Sequence, residues 1–150
     1  GLRQVAEDAV LNANYILRSL EDVMTAPFAG SGPCMHEALF DDGFLKDTGL
    51  STLDVAKALI DEGFHPMTMY FPLVVHGAML VEPTETEGRW RLDQFIGAMR
   101  TLAQAARSGE TARFRTAPHF APRSRLDETR AARQPILTWQ PPGDDRLAAE

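Results

Sequence analysis

Residues 79–87 constrain the fold of this chain more than any other stretch, because they combine a strand, a polar turn and a helix start. The apolar run at residues 79–81 predicts a short strand, and Pro83 ends it because proline cannot donate a hydrogen bond to a sheet. Thr84 and Glu87 have the spacing of a capping box, in which each side chain accepts a hydrogen bond from a backbone N–H at a helix start. The sequence therefore predicts a helix that begins in this turn and is capped by Thr84.

Three segments carry the apolar spacing or the capping residues of α-helices. The first covers residues 2–20, and its additional apolar residues predict that it is covered on more than one side. A second helix is predicted between Ser51, which caps it together with Asp54, and Gly63, a residue type favoured beyond a helix C-terminus. The third begins near Thr86. The apolar positions of the first and third helices are Leu2, Val5, Ala9, Ala13, Ile16, Leu17 and Leu20, and Leu92, Phe95, Ile96, Met99, Leu102, Ala103 and Ala106.

Residues 34–40 and 67–75 predict two further strands. Alternation along the first places His36 and Glu37 on opposite faces, so they cannot act together as an acid/base pair. Pro72 interrupts the second and limits it to an edge strand or a bulge. The order helix, strand, helix, two strands and helix predicts an α+β fold, in which a short, mostly antiparallel sheet is backed by helices.

Prolines recur after residue 115 and predict that the chain stops forming packed elements there. We therefore expect residues 1–115 to form one domain and residues 116–150 to form an extended C-terminal arm. Trp139 and its apolar neighbours would be costly to leave in water, so the arm is expected to lie on another surface. Residues 143–150 are expected to fray. The prolines are Pro118, Pro122, Pro135, Pro141 and Pro142.

Several kinds of site and location are not favoured by the sequence. His76 and His119 have no ligand-like spacing with another histidine or acidic residue, so no metal site is predicted. The single cysteine, Cys34, excludes an internal disulfide and is most simply a small buried residue. No apolar run approaches the ~20 residues that cross a bilayer. The chain opens without a signal peptide, so we expect a cytoplasmic location, no membrane association and a start that is a cut within a larger protein.

A series of motifs in fixed order runs along nearly the whole chain. Together they resemble the C-terminal region of glycine decarboxylase, the P-protein of the glycine cleavage system. The last motif is similar to the tail of subunit 2 of the split bacterial form. The motifs are Ala-Val-Leu-Asn-Ala-Asn-Tyr at 9–15, Met-His-Glu at 35–37, Thr-Leu-Asp-Val-Ala-Lys at 52–57, Gly-Phe-His-Pro at 63–66, Tyr-Phe-Pro-Leu at 70–73, Glu-Pro-Thr-Glu-Thr-Glu at 82–87 and Arg-Leu-Asp-Glu-Thr-Arg-Ala-Ala-Arg at 125–133.

This resemblance implies the fold and the reaction of the whole enzyme. It implies the small C-terminal domain of a fold-type-I pyridoxal-phosphate transferase, which closes over a cofactor held by a lysine of the large domain. The enzyme would decarboxylate glycine and transfer the aminomethyl group to the lipoylated H-protein, with subunit 1 as a companion. Only Lys46 and Lys57 occur here, and neither resembles the cofactor lysine. We therefore expect the cofactor to be bound upstream, no catalytic or cofactor-binding residue in this chain, and no activity of the chain alone.

Five residues are candidates for lining the active site of the whole enzyme: His36, His65, Thr84, Glu85 and Thr86. Each has a structural alternative. A histidine on a half-buried strand is more often a hydrogen-bonded core residue, which applies to His36 and equally to His65. The acidic and hydroxyl residues of the turn equally fit a helix N-terminus, where negative charge lies favourably against the macrodipole.

Charge is distributed unevenly along a chain whose net charge is −6. Residues 1–88 hold 4 basic and 14 acidic residues, whereas residues 89–133, the basic block, hold 10 basic and 4 acidic residues. The arginines are not interleaved with aromatic residues, so a nucleic-acid partner is not predicted. We expect the basic block, with Arg123, Arg125 and Arg130 as its test residues, to meet an acidic surface of the companion subunit or the H-protein.

Two other classes of function remain open. A free-standing amino-acid-binding regulatory module would share the α+β architecture, and it should bind a ligand alone. A small hydrolase would need a nucleophile and a base, which no local motif provides. Neither alternative accounts for the series of motifs.

Overall fold

A three-stranded antiparallel sheet organises the part of the chain that the computed structural model describes, residues 1–139. Its strands are β1 (Ala38–Phe40), β2 (Thr68–Met69) and β3 (Met79–Val81). The strand order is β1-β3-β2, and β3 pairs with both neighbours, so that Leu39 and Thr68 lie opposite Leu80. The predicted α+β fold with a short antiparallel sheet is confirmed.

Residues 1–139 also contain five α-helices: α1 (Leu2–Leu20), α2 (Thr52–Asp61), α3 (Arg89–Arg107), α4 (Thr111–Arg115) and α5 (Glu128–Arg133). The first three are the predicted helices. The short helices α4 and α5 were not predicted. Helix α5 falls within the segment expected to be extended, and it forms because the Asp127 side chain accepts a hydrogen bond from Arg130 N–H.

The core lies between the sheet, α1, α2 and α3. Alternation along β1 and β3 buries one face of the sheet and leaves Leu39 and Leu80 half-buried on the other. Every predicted apolar position of α3 is buried. Each such aliphatic side chain contributes about 1.5–3 kcal/mol to stability when it leaves water. The buried residues of the two strands are Ala38, Phe40, Met79 and Val81.

Strand β1 is shorter than predicted, because a side chain from α1 competes for the backbone of the preceding residues. The Asn14 amide donates to Cys34 O at 2.8 Å and accepts from Cys34 N–H at 3.0 Å. Since Asn14 takes both backbone groups, Cys34 cannot join the sheet, and only Ala38–Phe40 pair with β3. Burial raises the pKa of the half-buried Cys34 thiol, so it is a poor nucleophile at neutral pH.

Strand β2 is also shorter than predicted and lies at the edge of the sheet. After Met69 the chain leaves the sheet at Tyr70, whose φ of 58° belongs to the left-handed region. Residues 72–75 then close a turn in which Val75 N–H donates to Pro72 O at 3.1 Å. The predicted interruption at Pro72 therefore falls in a loop between β2 and β3.

Burial of α1 increases towards its C-terminal end. Residues 2–7 are exposed, with Leu2 at 90%, whereas residues 8–10 are half-buried. The predicted cover on more than one side is therefore not found within residues 1–139. The buried positions of α1 are Ala13, Ile16, Leu17 and Leu20.

Two aspartates of α2 hold the C-terminal segment. Asp54 forms the predicted capping box with Ser51 and also accepts from Arg125 Nη2 at 2.6 Å. Burial opposes the charged form of Asp54, but hydrogen bonds from Ser51 and Arg125 outweigh it and lower its pKa. Two helical turns further along α2, Asp61 accepts hydrogen bonds from the backbone N–H groups of His119 and Phe120, at 2.7–2.9 Å. The chain after α4 is thus fastened along one helix.

Three arginines of the basic block form ion pairs with acidic residues elsewhere in this chain. Arg100 makes two hydrogen bonds to Asp22, at 2.7 and 2.9 Å. Arg113 pairs with Glu62, as Arg125 does with Asp54. The expectation that Arg125 meets an acidic surface of another protein is therefore wrong, because an internal carboxylate occupies it. Arg123, Arg130 and Arg133 form no ion pair with residues 1–139, and for them the expectation stays a prediction.

Residues 1–139 contain neither a membrane-spanning helix nor a cluster of metal-binding side chains. No helix within residues 1–139 is both long and apolar enough to cross a bilayer. The same residues contain no group of three His, Cys, Asp or Glu side chains placed to hold a metal ion. The predicted fraying of residues 143–150, and the two prolines at 141–142, lie outside the described residues.

Candidate functional site

A cleft of about 440 Å³ opens beside the turn between β3 and α3, and we call it the elbow cleft. One side is formed by the segment between α2 and β2, and the other by the start of α3. The end of β3 and the turn itself close it. The lining residues are Ile16, Phe64, His65, Pro66, Met67, Thr68, Leu80, Val81, Glu82, Pro83, Thr84, Glu87, Arg91, Leu92 and Phe95.

The turn does not cap the helix in the predicted way. Helix α3 begins at Arg89 with Gly88 as its N-cap and without a side-chain cap. Thr84 Oγ1 instead lies 2.7 Å from Thr86 Oγ1, and the turn closes through Glu87 N–H donating to Thr84 O at 3.1 Å. The predicted capping box of Thr84 and Glu87 is therefore wrong, because helical geometry starts only after the turn has closed.

Asn12 of α1 holds the turn between β3 and α3 through two hydrogen bonds. Its amide donates to Thr84 O at 2.9 Å and to Glu87 O at 3.2 Å. These two carbonyls belong to a segment whose side chains are exposed, so Asn12 supplies much of what holds it. Sequence reasoning did not assign Asn12 this task, although the residue lies within one of the recognised motifs.

Arg91 provides a fixed positive charge at the edge of the cleft. Its Nη2 donates to Gly63 O at 2.9 Å, and its guanidinium carbon lies 4.2 Å from the centre of the Phe64 ring. That ring packs edge-on against Phe95, with centroids 5.5 Å apart. The guanidinium therefore sits on an aromatic floor, where its position is set by packing as well as by charge.

The remaining polar groups give the cleft a mixed rim. Glu82, Glu87, Thr84 and His65 are exposed, whereas the floor is aromatic and aliphatic. The His65 side chain makes no hydrogen bond with another residue of the described part of the chain. An apolar floor with a few convergent polar groups is the usual character of a small-ligand site.

The five predicted site residues do not form one cluster. His65 and Thr84 line the elbow cleft, and Thr86 touches it only through the hydroxyl of Thr84. Glu85 is exposed and does not line the cleft, and His36 is exposed in the loop before β1. The core alternative for the two histidines is wrong, since both are exposed. Their role in a larger site stays a prediction.

Sequence reasoning missed Glu87 and Arg91 as members of the same site. Glu87 could have been included because it belongs to the motif at residues 82–87, whereas Arg91 gave no local signal. Phe64 gave no such signal. Its place in the cleft depends on Arg91 and Phe95, which are distant in sequence.

Neither lysine lines the elbow cleft. Lys46 is exposed after a short 3-10 turn at Gly43–Leu45, and Lys57 is half-buried on α2. The described residues therefore do not fit a site that holds pyridoxal phosphate through a lysine.

A hydroxyl, an imidazole and a carboxylate line up outside the cleft. His119 Nε2 lies 2.8 Å from Thr116 Oγ1, and its Nδ1 lies 2.8 Å from Asp61 Oδ2. The Thr116 hydroxyl also lies 2.8 Å from Ala112 O, so its one hydrogen can serve either that carbonyl or His119 Nε2. The three side chains join α2 to the end of α4 and to the segment after it, and we call them a structural clasp.

Comparison with known proteins gives one consistent result. Residues 5–120 match the family described as "Glycine dehydrogenase, C-terminal domain". A protein of Caulobacter vibrioides named "Probable glycine dehydrogenase (decarboxylating) subunit 2" is 68% identical over all 150 residues, which cover 28% of its length. Proteins of the same name from Oceanobacillus iheyensis and Shouchella clausii are 48% and 49% identical over 94% and 93% of this chain, again across 28% of their length. The chain thus spans less than a third of these relatives.

Proposed function

The chain belongs to the family of glycine dehydrogenase C-terminal domains, and from this premise we infer that it serves as the C-terminal part of subunit 2 of a decarboxylating glycine dehydrogenase. The observation that carries the proposal is the identity of 68% along the entire chain to a relative of that name. The proposal also accounts for the exposed residues 2–7 at the start of α1. A free-standing regulatory module would account for neither.

The whole enzyme would decarboxylate glycine and pass its aminomethyl group to the lipoylated H-protein, with subunit 1 as its companion. Pyridoxal phosphate would supply the electron sink for that decarboxylation. The lysine holding it would lie upstream, as neither Lys46 nor Lys57 fits the task. Residues 1–115 would be the small domain of a fold-type-I transferase, and residues 116–150 its arm.

The elbow cleft is the part of this chain that we assign to the active site of the whole enzyme. Its aromatic floor would exclude water from one side of a bound ligand, which strengthens polar interactions there. The Arg91 guanidinium would orient an anionic or carbonyl group, and His65 and Thr84 would donate or accept hydrogen bonds at the rim. Each of these tasks concerns binding and orientation.

The test compares the complete polypeptide with this chain alone. The complete polypeptide, purified with its companion subunit, should release carbon dioxide from carboxyl-labelled glycine when pyridoxal phosphate and lipoylated H-protein are present. The isolated chain should release none, and pyridoxal phosphate should give it no stoichiometric visible absorbance band. Lys46→Ala and Lys57→Ala variants of the isolated chain provide the control.

Two results would contradict the proposal. One is a complete polypeptide that leaves glycine intact while binding its cofactor. The other is a stoichiometric absorbance band of the isolated chain that disappears in a lysine variant. Saturable binding of an amino acid to the isolated chain would instead favour the regulatory module.

A further inference from the structure

The loop between β2 and β3 presents large apolar side chains to solvent. We call residues 70–75 the apolar finger. Leu73 is 87% exposed, Val74 is 84% exposed and Phe71 is 56% exposed. Single exposed apolar residues are ordinary, but a cluster at the tip of one loop marks a surface that another part of a protein covers.

The base of the finger is fixed by hydrogen bonds. Tyr70 N–H donates to Ala78 O at 2.8 Å, and the buried Thr52 hydroxyl donates to Gly77 O at 2.6 Å. Leu53 N–H donates to Tyr70 Oη at 3.2 Å. These hydrogen bonds fix both ends of the loop on α2 and β3.

Gly77, at the base of the apolar finger, lies in close contact with the Asp42 side chain. Its φ is 58°, and a Cβ there would lie 2.1 Å from Asp42 Cγ. The Asp42 carboxylate in turn lies 3.0 Å from His76 Nδ1. Only glycine allows this approach, so the position of the finger depends on a backbone that a side chain would push away.

An apolar cavity of about 420 Å³ continues the exposed surface from the finger towards α1. Phe28, 55% exposed, and Met35, 73% exposed, stand at its other side. Leu17 of α1 forms part of its wall, and Glu37 is the only charged residue among those that line it. We call Phe28, Met35, Phe71, Leu73 and Val74 the finger surface.

The most direct occupant of the finger surface is the polypeptide that precedes this chain in its longer relatives. The chain covers 28% of the length of such a relative, so most of the polypeptide would enter through α1. Val10, Asn14 and Leu17 share one face of that helix, because they follow each other by four and three residues. This face leads from the cavity towards the N-terminal end of α1.

The chemistry of the surface favours a permanent partner. Permanent interfaces are more apolar than transient ones, which carry more charge at their rim. The lipoylated carrier must bind and leave in each cycle, whereas the upstream domain stays. We propose that the finger surface is the docking surface of the upstream part of the same polypeptide, an inference that rests on the proposed function.

A cross-linking experiment on the complete polypeptide tests this docking. A photoreactive benzoylphenylalanine replaces Leu73, and the protein is irradiated with its companion subunit present. Isotope-labelled and unlabelled copies are mixed, so that mass spectrometry separates links within one chain from links between copies. The same replacement at Phe120, which is 86% exposed and lies outside the finger surface, is the control.

We expect the Leu73 probe to link to residues upstream of Gly1 in the same chain, at least 10-fold more than the Phe120 probe. A second variant, Leu73→Asp with Val74→Asp, should lower the melting temperature of the complete polypeptide, whereas Phe120→Asp should not. Links to the companion subunit or to a second copy, or links no more frequent than at Phe120, would overturn the docking. Neither readout needs catalysis, so failure of the proposed reaction would be seen separately.

Discussion

At the scale of single residues, substitution of Thr84 can distinguish a structural role of its hydroxyl from a functional role. It caps no helix, and its side chain is exposed at the rim of the elbow cleft. Its hydrogen-bond partner, Thr86 Oγ1, belongs to a residue that does not line the cleft. Thr84 and Thr86 therefore form a matched pair in which removal of either hydroxyl breaks the same hydrogen bond.

We expect Thr84→Ala in the complete enzyme to lower kcat/KM about 10-fold and to change stability by less than about 0.5 kcal/mol. A tenfold loss corresponds to about 1.4 kcal/mol, the size of one hydrogen bond in the transition state. Thr84→Ser should retain activity, and Thr86→Ala should resemble the parent. Steady-state kinetics and thermal melting measure both quantities. Equal losses in the Thr84→Ala and Thr86→Ala variants would show that only the hydroxyl pair matters.

Asn12 is the residue on which the shape of the turn depends. We expect Asn12→Ala to reduce the stability of the complete polypeptide by about 1–2 kcal/mol, because two hydrogen bonds of about 1 kcal/mol each are lost. Gln4→Ala is the control, since that amide bonds only the neighbouring Asp8 on the same helix. Denaturant unfolding gives the free energies. An Asn12→Ala variant as stable as Gln4→Ala would contradict the assignment.

At the scale of elements, local signals predicted helices well and strands poorly. The capping box of Ser51 lies within four residues, and it formed as predicted. Strand β1 lost its first half to Asn14, which is 20 residues away from Cys34. Tyr70 ended β2 through a backbone conformation that tyrosine rarely adopts. Competition from distant side chains has no local pattern, and the elbow cleft was likewise only partly predictable.

The attachment of residues 116–125 to α2 should be sensitive to acid. Burial opposes the charged form of Asp61, but hydrogen bonds from Phe120 N–H and from His119 outweigh it and hold its pKa below the ordinary value. A carboxyl with a lowered folded pKa contributes stability that is present above its unfolded value of about 3.9. This contribution is lost as the pH falls through the folded pKa. Asp54 has a lowered pKa as well and acts in the same direction.

We therefore expect the hydrogen-exchange protection factors of residues 119–125, which compare each rate with that of the unfolded chain at the same pH, to fall below about pH 4, before those of α3. Asp61→Ala should produce at least a 10-fold acceleration at neutral pH, because hydrogen bonds to a charged group contribute about 1.5–3 kcal/mol each. Asp8→Ala, on exposed α1, is the control. Simultaneous loss of protection in both regions, or an unchanged Asp61→Ala variant, would refute a separate attachment.

At the scale of the whole molecule, three arginines of the basic block, Arg100, Arg113 and Arg125, form ion pairs with acidic residues of the first 88 residues. Sequence reasoning treated the basic block as one surface, since pairing across 51 to 78 residues leaves no trace in composition. The fold divides it into arginines that join the two halves of the chain and arginines without an ion pair among residues 1–139. These two groups should respond differently to the same substitution.

Arg125→Glu should destabilise the complete enzyme by about 1.5–3 kcal/mol, because Asp54 would lose its hydrogen bond to the guanidinium while keeping those from Ser51. Arg123→Glu together with Arg130→Glu should leave stability nearly unchanged. In that double variant the KM for the H-protein should rise more at low salt than at high salt. Melting curves and kinetics at two salt concentrations distinguish the two outcomes. A salt-independent KM equal to the parent value would make these arginines ordinary solvated surface.

Helix α1 connects three segments through neighbouring side chains. Asn12 holds the turn, Asn14 holds Cys34, and Tyr15 donates to Asp93 of α3 at 2.6 Å. Its 19 residues make a rod about 28 Å long, which is exposed along residues 2–7 and buried on one face from Ala13 onwards. Movement of one end of such a helix is transmitted to the residues that its other end contacts. A tilt imposed on the exposed end would pull on Thr84 directly, so the width of the elbow cleft would follow the orientation of whatever grips the helix upstream.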